Sequence, residues 1–290
     1  AKALDVRAGT LINQSGRLAA VDSVNLQVDG ELDNRSAKVR GKHLVLGVGT
    51  LNNDQGLVQG DSTLLLQAGG AVSNQAGTLA AGHSVTLNSA SLDNRTGNLT
   101  SDGALTAGIA GSLLNQAGLM SAGTDMQVNA TDLNNSLKGR IAAQQVLLTG
   151  QGLDNSAGGS LYAKGQLGVA LGGQLNNAQG TLRSDDRLTI NASGLTNDDA
   201  TLSSASDLKI TTGKLSNQGG RLSSATRLGM TVTALDNSRN GHVASQADVS
   251  LDMQGGHLNN NGGLINAPGQ LLLKQLGSVD NQGGEISSAH

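Results

Sequence analysis

The chain has 290 residues, 22 acidic and 19 basic side chains and a net charge of −3. Its cations are scattered and not interleaved with aromatics, which argues against nucleic acid as a partner, and no apolar run is long enough for membrane insertion. With no Cys there are no disulfides or thiolate metal sites, and with no Phe, no Trp and a single Tyr, Tyr162, any core must come from Leu, Val, Ile, Ala and Met.

The first residues, Ala1-Lys2-Ala3-Leu4-Asp5, do not read as a signal peptide and lead into a Leu-x-Val strand. From there the tripeptide Leu-x-Asn recurs to the other end. Its asparagines are Asn13, Asn34, Asn53, Asn74, Asn94, Asn115, Asn135, Asn155, Asn177, Asn197, Asn217, Asn237, Asn260 and Asn281. These 14 marks lie 19 to 23 residues apart, each with Leu two positions earlier, or Val at Val72 and Val279. Such a period means a stack of units, each too small to bury its own apolar face. It predicts one elongated domain over residues 1–290 instead of two globular ones.

The unit at Asn74 shows the pattern: Gly77, then Leu79 and Ala81, then Val85 and Leu87. The unit at Asn115 repeats it with Gly118, Met120, Ala122, Met126 and Val128. At Asn135 the glycine is delayed one position, to Gly139. The next steps stretch: 22 residues from Asn155 to Asn177 and 23 from Asn237 to Asn260, with extra residues around Gly158-Gly159, Gly172-Gly173 and Gly255-Gly256. Insertions in solenoids become surface loops or bulges, so these are the places to look for binding. Between them, the unit at Asn197 is regular but carries Ala200 where Gly is usual. The last residues, Ile286-Ser287-Ser288-Ala289-His290, stop in mid-pattern, and the chain is expected to be a stretch of a longer array whose end coils expose unpaired strand edges.

Within each run apolar and polar residues alternate, the mark of a strand with one face inward. No run has helical spacing. Three short strands per unit are predicted: one with Leu-x-Asn, one with an aliphatic followed by Ser or Ala, and one with the Leu-x-Leu pair. The bends fall after Asn, where Gly and Asn tolerate left-handed backbone, and at small polar segments such as Ala122-Gly123-Thr124. Coils stacked as parallel strands about 4.8 Å apart would give a rod roughly 65–70 Å long. The Asn column lies in phase with the inward Leu, so its amides are expected to bond from coil to coil in an internal ladder. The reading is therefore an all-β solenoid of about 14 coils in which these Asn are scaffold and neither ligands nor catalysts.

The spacing does not fit leucine-rich, hexapeptide or Gly-Gly-x-Gly-x-Asp calcium repeats. The segments Leu92-Asp93-Asn94-Arg95-Thr96-Gly97-Asn98-Leu99-Thr100-Ser101 and Leu113 to Ala122 resemble the repeats of filamentous-haemagglutinin-like proteins. So do Leu175 to Ser184 and Leu215 to Ser224, and the resemblance extends over essentially the whole chain. It implies a right-handed parallel β-helix from a large bacterial exoprotein, secreted or held at the cell surface. It further implies an outer-membrane pore as export partner in a two-partner system, and a role as an adhesin or as the stalk of a contact-dependent growth-inhibition toxin. A target-cell receptor or glycan is then a further partner, with binding residues unassigned.

Catalytic and metal chemistry find little footing. A β-helical polysaccharide enzyme would need clustered carboxylates, and the nearest candidates, Asp185-Asp186 and Asp198-Asp199, read as solvated turns. Tyr162 alone cannot build a sugar-stacking platform. His43, His83, His242, His257 and His290 occur singly, without metal-ligand spacing. No Gly-x-Ser-x-Gly elbow or phosphate loop is present. The expectation is no catalytic, cofactor or metal site. The sequons at Asn34, Asn94, Asn129 and Asn191 are chance products of an Asn-rich chain, two of them within the ladder.

Overall fold

The computed structural model describes residues 1–289. It forms 35 strands and, among the described residues, no helix. Contacts divide it into two compact units, Ala1–Gln144 and a second from Gln145 onward. Each unit is a parallel β-solenoid holding seven of the 14 Leu-x-Asn coils.

Strand pairing follows the repeat. In the first unit Leu4, Val24, Leu44, Leu64, Val85, Leu105 and Met126 lie side by side on successive parallel strands. In the second, Val146, Leu167, Leu188, Leu208, Leu228, Val249 and Leu271 form the equivalent column. The Leu of Leu-x-Asn makes another column, Leu153-Leu175-Leu195-Leu215-Leu235-Leu258-Val279. The aliphatic five or six residues after Asn makes a third, Leu161-Leu182-Leu202-Leu222-Val243-Ile265-Ile286. Like stacks on like, so each coil offers the next a matching apolar layer. The interior members of these columns are almost completely buried. Each such Leu contributes roughly 1.5–3 kcal/mol by leaving water. A one-residue slip would turn every Leu outward, which is why the register is firm.

Two expectations need correction. Three short strands per coil hold through most of the second unit, where strands such as Thr201–Ser204, Leu208–Thr211 and Lys214–Ser216 are separate. In the first unit Thr78–Ala81, Ser84–Ser89 and Ser91–Asp93 stay separate, but in some coils the strands run together, with Lys38–Asn52 one 15-residue strand and Leu57–Ala68 one of 12. There the chain rounds corners by local register shifts, between Val28 and Glu31, Gly41 and His43, and Ile109 and Ser112, without losing the ladder.

The left-handed position is also not where it was expected. It falls two residues after each ladder Asn, and most occupants are not Gly: Ser15, Ser36, Gln55, Ala76, Thr96, Ala117, Gln179 and Asp199 all have φ between 51° and 59°. The recurrent Gly one place later, as at Gly77 and Gly118, does not have positive φ. A Cβ there would meet backbone: at Gly77 it would lie 2.1 Å from the Asn53 carbonyl oxygen and 2.6 Å from Asn74 Oδ1. Close approach of two coils, and not a special dihedral, is what favours Gly. Ala37 and Ala200 occupy this place in two coils, both buried, so a methyl is admitted there.

The stretched coils, and the coil with the delayed Gly139, carry tight turns in place of loops. Leu137-Lys138, Ala157-Gly158 and Arg239-Asn240 each put two consecutive residues at positive φ where other coils have one. Gln254 and Gly255 do the same at a second corner. The remaining extra residue of the 22-residue step falls at Gly172-Gly173, between the strands Leu167–Leu171 and Gln174–Asn176.

Candidate functional site

The most elaborately built polar feature is internal. In the first unit Asn13 Nδ2 donates to Asn34 Oδ1 at 2.8 Å, and the same bond continues through Asn53, Asn74, Asn94, Asn115 and Asn135 at 2.7 Å. In the second it runs from Asn155 through Asn177, Asn197, Asn217, Asn237 and Asn260 to Asn281, at 2.6–2.8 Å. Every bond points the same way, from each amide nitrogen to the amide oxygen of the following coil. The second N–H reaches carbonyls flanking the bend: Asn94 Nδ2 lies 3.3 Å from Gly97 O and 3.2 Å from Leu119 O. From Asn34 to Asn260 these side chains are fully buried. Burying so many amides is tolerable because each finds its partners in the neighbouring coils.

A second polar column supports the first, and the sequence reading missed it. The residue just before a ladder Asn is often Asp or Asn, and its side-chain oxygen accepts the backbone N–H two positions on. Asp33 caps Arg35, Asn52 caps Asp54, Asp93 caps Arg95 and Asp236 caps Ser238, all at 3.1 Å. Where that residue is Ser, the coil before supplies the cap. Asp54 Oδ1 accepts from Gln75 N at 2.9 Å and from Ser73 Oγ at 2.6 Å, and Asp198 Oδ1 does the same for Gln218 N and Ser216 Oγ. The Asx-x-x spacing that signals an Asx turn was present in the sequence, overshadowed by the Asn beside it.

These capping roles depress several carboxyl groups. The Arg35 guanidinium holds Asp33 below the ordinary carboxylate range. Burial pushes Asp236 up, but hydrogen bonds from Ser238 and Gln218 outweigh it and the net displacement is downward. Asp207 is lowered by Thr226 Oγ1, 2.7 Å away, with the Arg227 amide adding to it against some burial.

The sequence-derived catalytic candidates are thus largely engaged in structure. Asp198 is a turn cap. Asp185 accepts the Tyr162 hydroxyl and the Arg183 guanidinium, at 2.9 Å from Nη2, and both hold it below its usual value. Tyr162 is raised by the same carboxylate, and the Arg183 guanidinium carbon sits 5.8 Å from its ring centre. Asp199 occupies the left-handed bend position and Asp186 lends only backbone atoms to Ser204 and Ser206. His43 pairs with Thr63 at 3.0 Å and His257 with Ser278 at 2.8 Å. His242 is lowered by burial and then by Arg221. His83 is exposed, and His290 lies outside the described residues. Among the described residues no group of three or more His, Cys, Asp or Glu could hold a metal. The sequon residues Asn34 and Asn94 are buried, while Asn129 and Asn191 are exposed.

Among the described residues the outer faces carry open grooves. One of about 380 Å³ crosses the second unit where Gly229 has no side chain, walled by Lys209, Arg227, Asp252 and Lys274. Its cations alternate with carboxylates, as do Arg187 and Asp207, 3.7 Å apart, and Arg227 opposite Asp248. Alternation of sign along a stack secures the register and leaves no concentrated field for a charged ligand.

No curated protein and no solved structure matches the chain. The sequence model of the Haemagglutinin repeat family matches residues 1–76, 61–108, 80–173, 162–229 and 225–289. The matched stretches fall on the same coils that stack their leucines and pass an amide bond from one to the next, and on that ground the chain belongs to the Haemagglutinin repeat family.

Proposed function

We propose that residues 1–290 serve as one structural segment, a filament-forming stalk in a large secreted bacterial surface protein that presents adhesive or toxin domains to another cell. The observation that carries this reading is uniformity. Each coil spends its polar and apolar groups on its neighbours, through aliphatic columns and a one-way amide ladder. In a structure of that kind stability rises with coil number, so length is gained without a larger core. Export follows a two-partner route through an outer-membrane pore, and coils folding one on another outside the cell oppose backsliding of the chain. No catalytic step is assigned, since Asp185 and Asp198 are committed to structural partners.

The test is binding by the purified chain. A stalk should show no saturable attachment to target cells or to arrayed glycans. Saturable attachment that is abolished by Lys209→Ala with Lys274→Ala, or by shortening Gln254–Gly256, would replace this reading with that of a receptor-binding surface.

A further inference from the structure

The outward positions of the Leu-x-Leu strands differ between the two units. In the first unit two outward columns flank the buried one that runs from Val24 to Met126. One is Asn25-Val45-Leu65-Thr86-Thr106-Gln127 and the other Gln27-Gly47-Gln67-Asn88-Gly108-Asn129. None of these residues is Asp, Glu, Lys or Arg. The same two columns of the second unit carry Lys209, Asp252 and Lys274, and Arg187, Asp207, Arg227 and Asp248 border them. Charges spread over a surface are what ordinarily keep copies of a protein apart in solution. On this face of the first unit that safeguard is missing.

The face is also level. Where the second column has Gly, the amide of the coil before lies across it. Gln27 covers Gly47, and Asn88 Oδ1 stands 2.6 Å from where a Gly108 Cβ would be. Gln27 is held in turn, its Nε2 donating to Asn25 Oδ1 at 3.1 Å. Val45, 39% exposed, lies beside the half-buried Leu65 of the next strand, and together they make a low apolar ridge. Beyond the second column an open hollow of about 470 Å³ is lined by small residues, among them Gly69, Ala90 and Ala110.

A charged partner finds no charge here to pair with. A peptide strand finds no unpaired backbone, because these strands are already bonded on both sides. A sugar finds no aromatic ring, since the single aromatic residue, Tyr162, belongs to the other unit. A second level, uncharged sheet does fit, and every copy of this chain brings one. Sheets pack face to face about 10 Å apart with their side chains interdigitated. Six strands about 4.8 Å apart, each about 20 Å long, present roughly 570 Å² per copy, against about 800 Å² for each partner in a standard stable complex. The contact is sized for weak, reversible pairing.

We infer that this face of the first unit, centred on Leu65 and Thr86, is a lateral docking surface for the same face of a second copy of this chain. The contact is isologous, like surface on like surface. It concerns self-association and not attachment to cells, so it stands or falls separately from the stalk reading.

Sedimentation equilibrium of the purified chain should show a weak, reversible monomer–dimer equilibrium; a monomer up to the solubility limit would overturn the inference. Thr86→Glu with Thr106→Glu sets like charges at the centre of both faces and should raise the dissociation constant at least about tenfold. Both side chains point away from the core, so the variant keeps its fold. Thr100→Glu with Ser121→Glu adds the same charge at adjacent outward positions of a different strand column and should leave the constant unchanged. An equal loss in that control would show that net charge governs association, and the inference would fail. Mixing the Thr86→Glu, Thr106→Glu chain with a Thr86→Lys, Thr106→Lys chain should restore a one-to-one dimer, and no restoration would also overturn it.

Discussion

Removing a rung that both donates and accepts should cost about twice what removing one that only accepts does. Asn94 is fully buried, accepts from Asn74 Nδ2 at 2.7 Å and donates to Asn115 Oδ1 at 2.7 Å. Asn94→Ala strands a donor in the coil before and an acceptor in the coil after. An orphaned buried polar atom costs about 1–3 kcal/mol, so the pair costs roughly 2–6 kcal/mol. Asn281→Ala strands one atom in place of two, the buried Asn260 Nδ2 donor, which keeps Gly263 O and Glu285 O just as Asn74 keeps Gly77 O and Asn98 O, so its cost is about 1–3 kcal/mol. Asn94→Asp separates the amide from mere bulk. The new carboxyl can still accept from Asn74, but its other oxygen faces Asn115 Oδ1 and two carbonyls, Gly97 O and Leu119 O. Burial and those oxygens favour the protonated acid, which can donate to Asn115. Its folded-state pKa is then raised, so the variant approaches the parent in acid. Between the ordinary carboxylate pKa of about 4 and that raised value it loses stability by about 1.4 kcal/mol per pH unit, and above the raised value, where the folded group is ionised too, the loss levels off. Arrays of coils unfold locally, so the assay is native-state hydrogen exchange of the amides between Asn74 and Leu119, with denaturant melts alongside. Equal losses for Asn94→Ala and Asn281→Ala, or a pH-independent Asn94→Asp, would show that the amides do not bond as a buried relay.

Three further outcomes follow from the same structure. Ala117 holds φ 53° while Gly118 has ordinary φ but would press a Cβ 2.2 Å from Asn94 O; Ala117→Gly should therefore raise stability by about 0.5–1 kcal/mol and Gly118→Ala lower it by about 1–3, read from denaturant midpoints. Leu182 is completely buried between Leu161 and Leu202, and Leu182→Ala should cost about 2–5 kcal/mol, with protection lost first in the coils either side. His242 is held neutral by burial and then by Arg221. Its folded pKa is depressed, so the unfolded chain takes up the proton first and stability falls as pH drops below about 6.5. His242→Gln should flatten the melting-temperature profile between about pH 7 and 5, leaving the later loss as Asp33, Asp207 and Asp236 protonate below about pH 4.

The sequence alone determined the parallel solenoid, its coil boundaries and the inward face of each strand. Alternation at Val85 and Leu87, and Asn at every twentieth residue or so, are one-dimensional facts that repetition states 14 times. A pattern repeated at that period can bury its apolar face only against its own copies, so the fold follows. Tertiary structure alone decided what passes between coils. The direction of the amide bonds, the Gly77 approach to Asn53, the loan of Asp54 to Gln75 and the Tyr162–Asp185–Arg183 cluster all depend on how one coil lies against the next in space. Bend geometry was likewise hidden, because Ala76 and Ala117 have no intrinsic preference for left-handed backbone and hold it only because the stacked coils on either side fix both flanking strands.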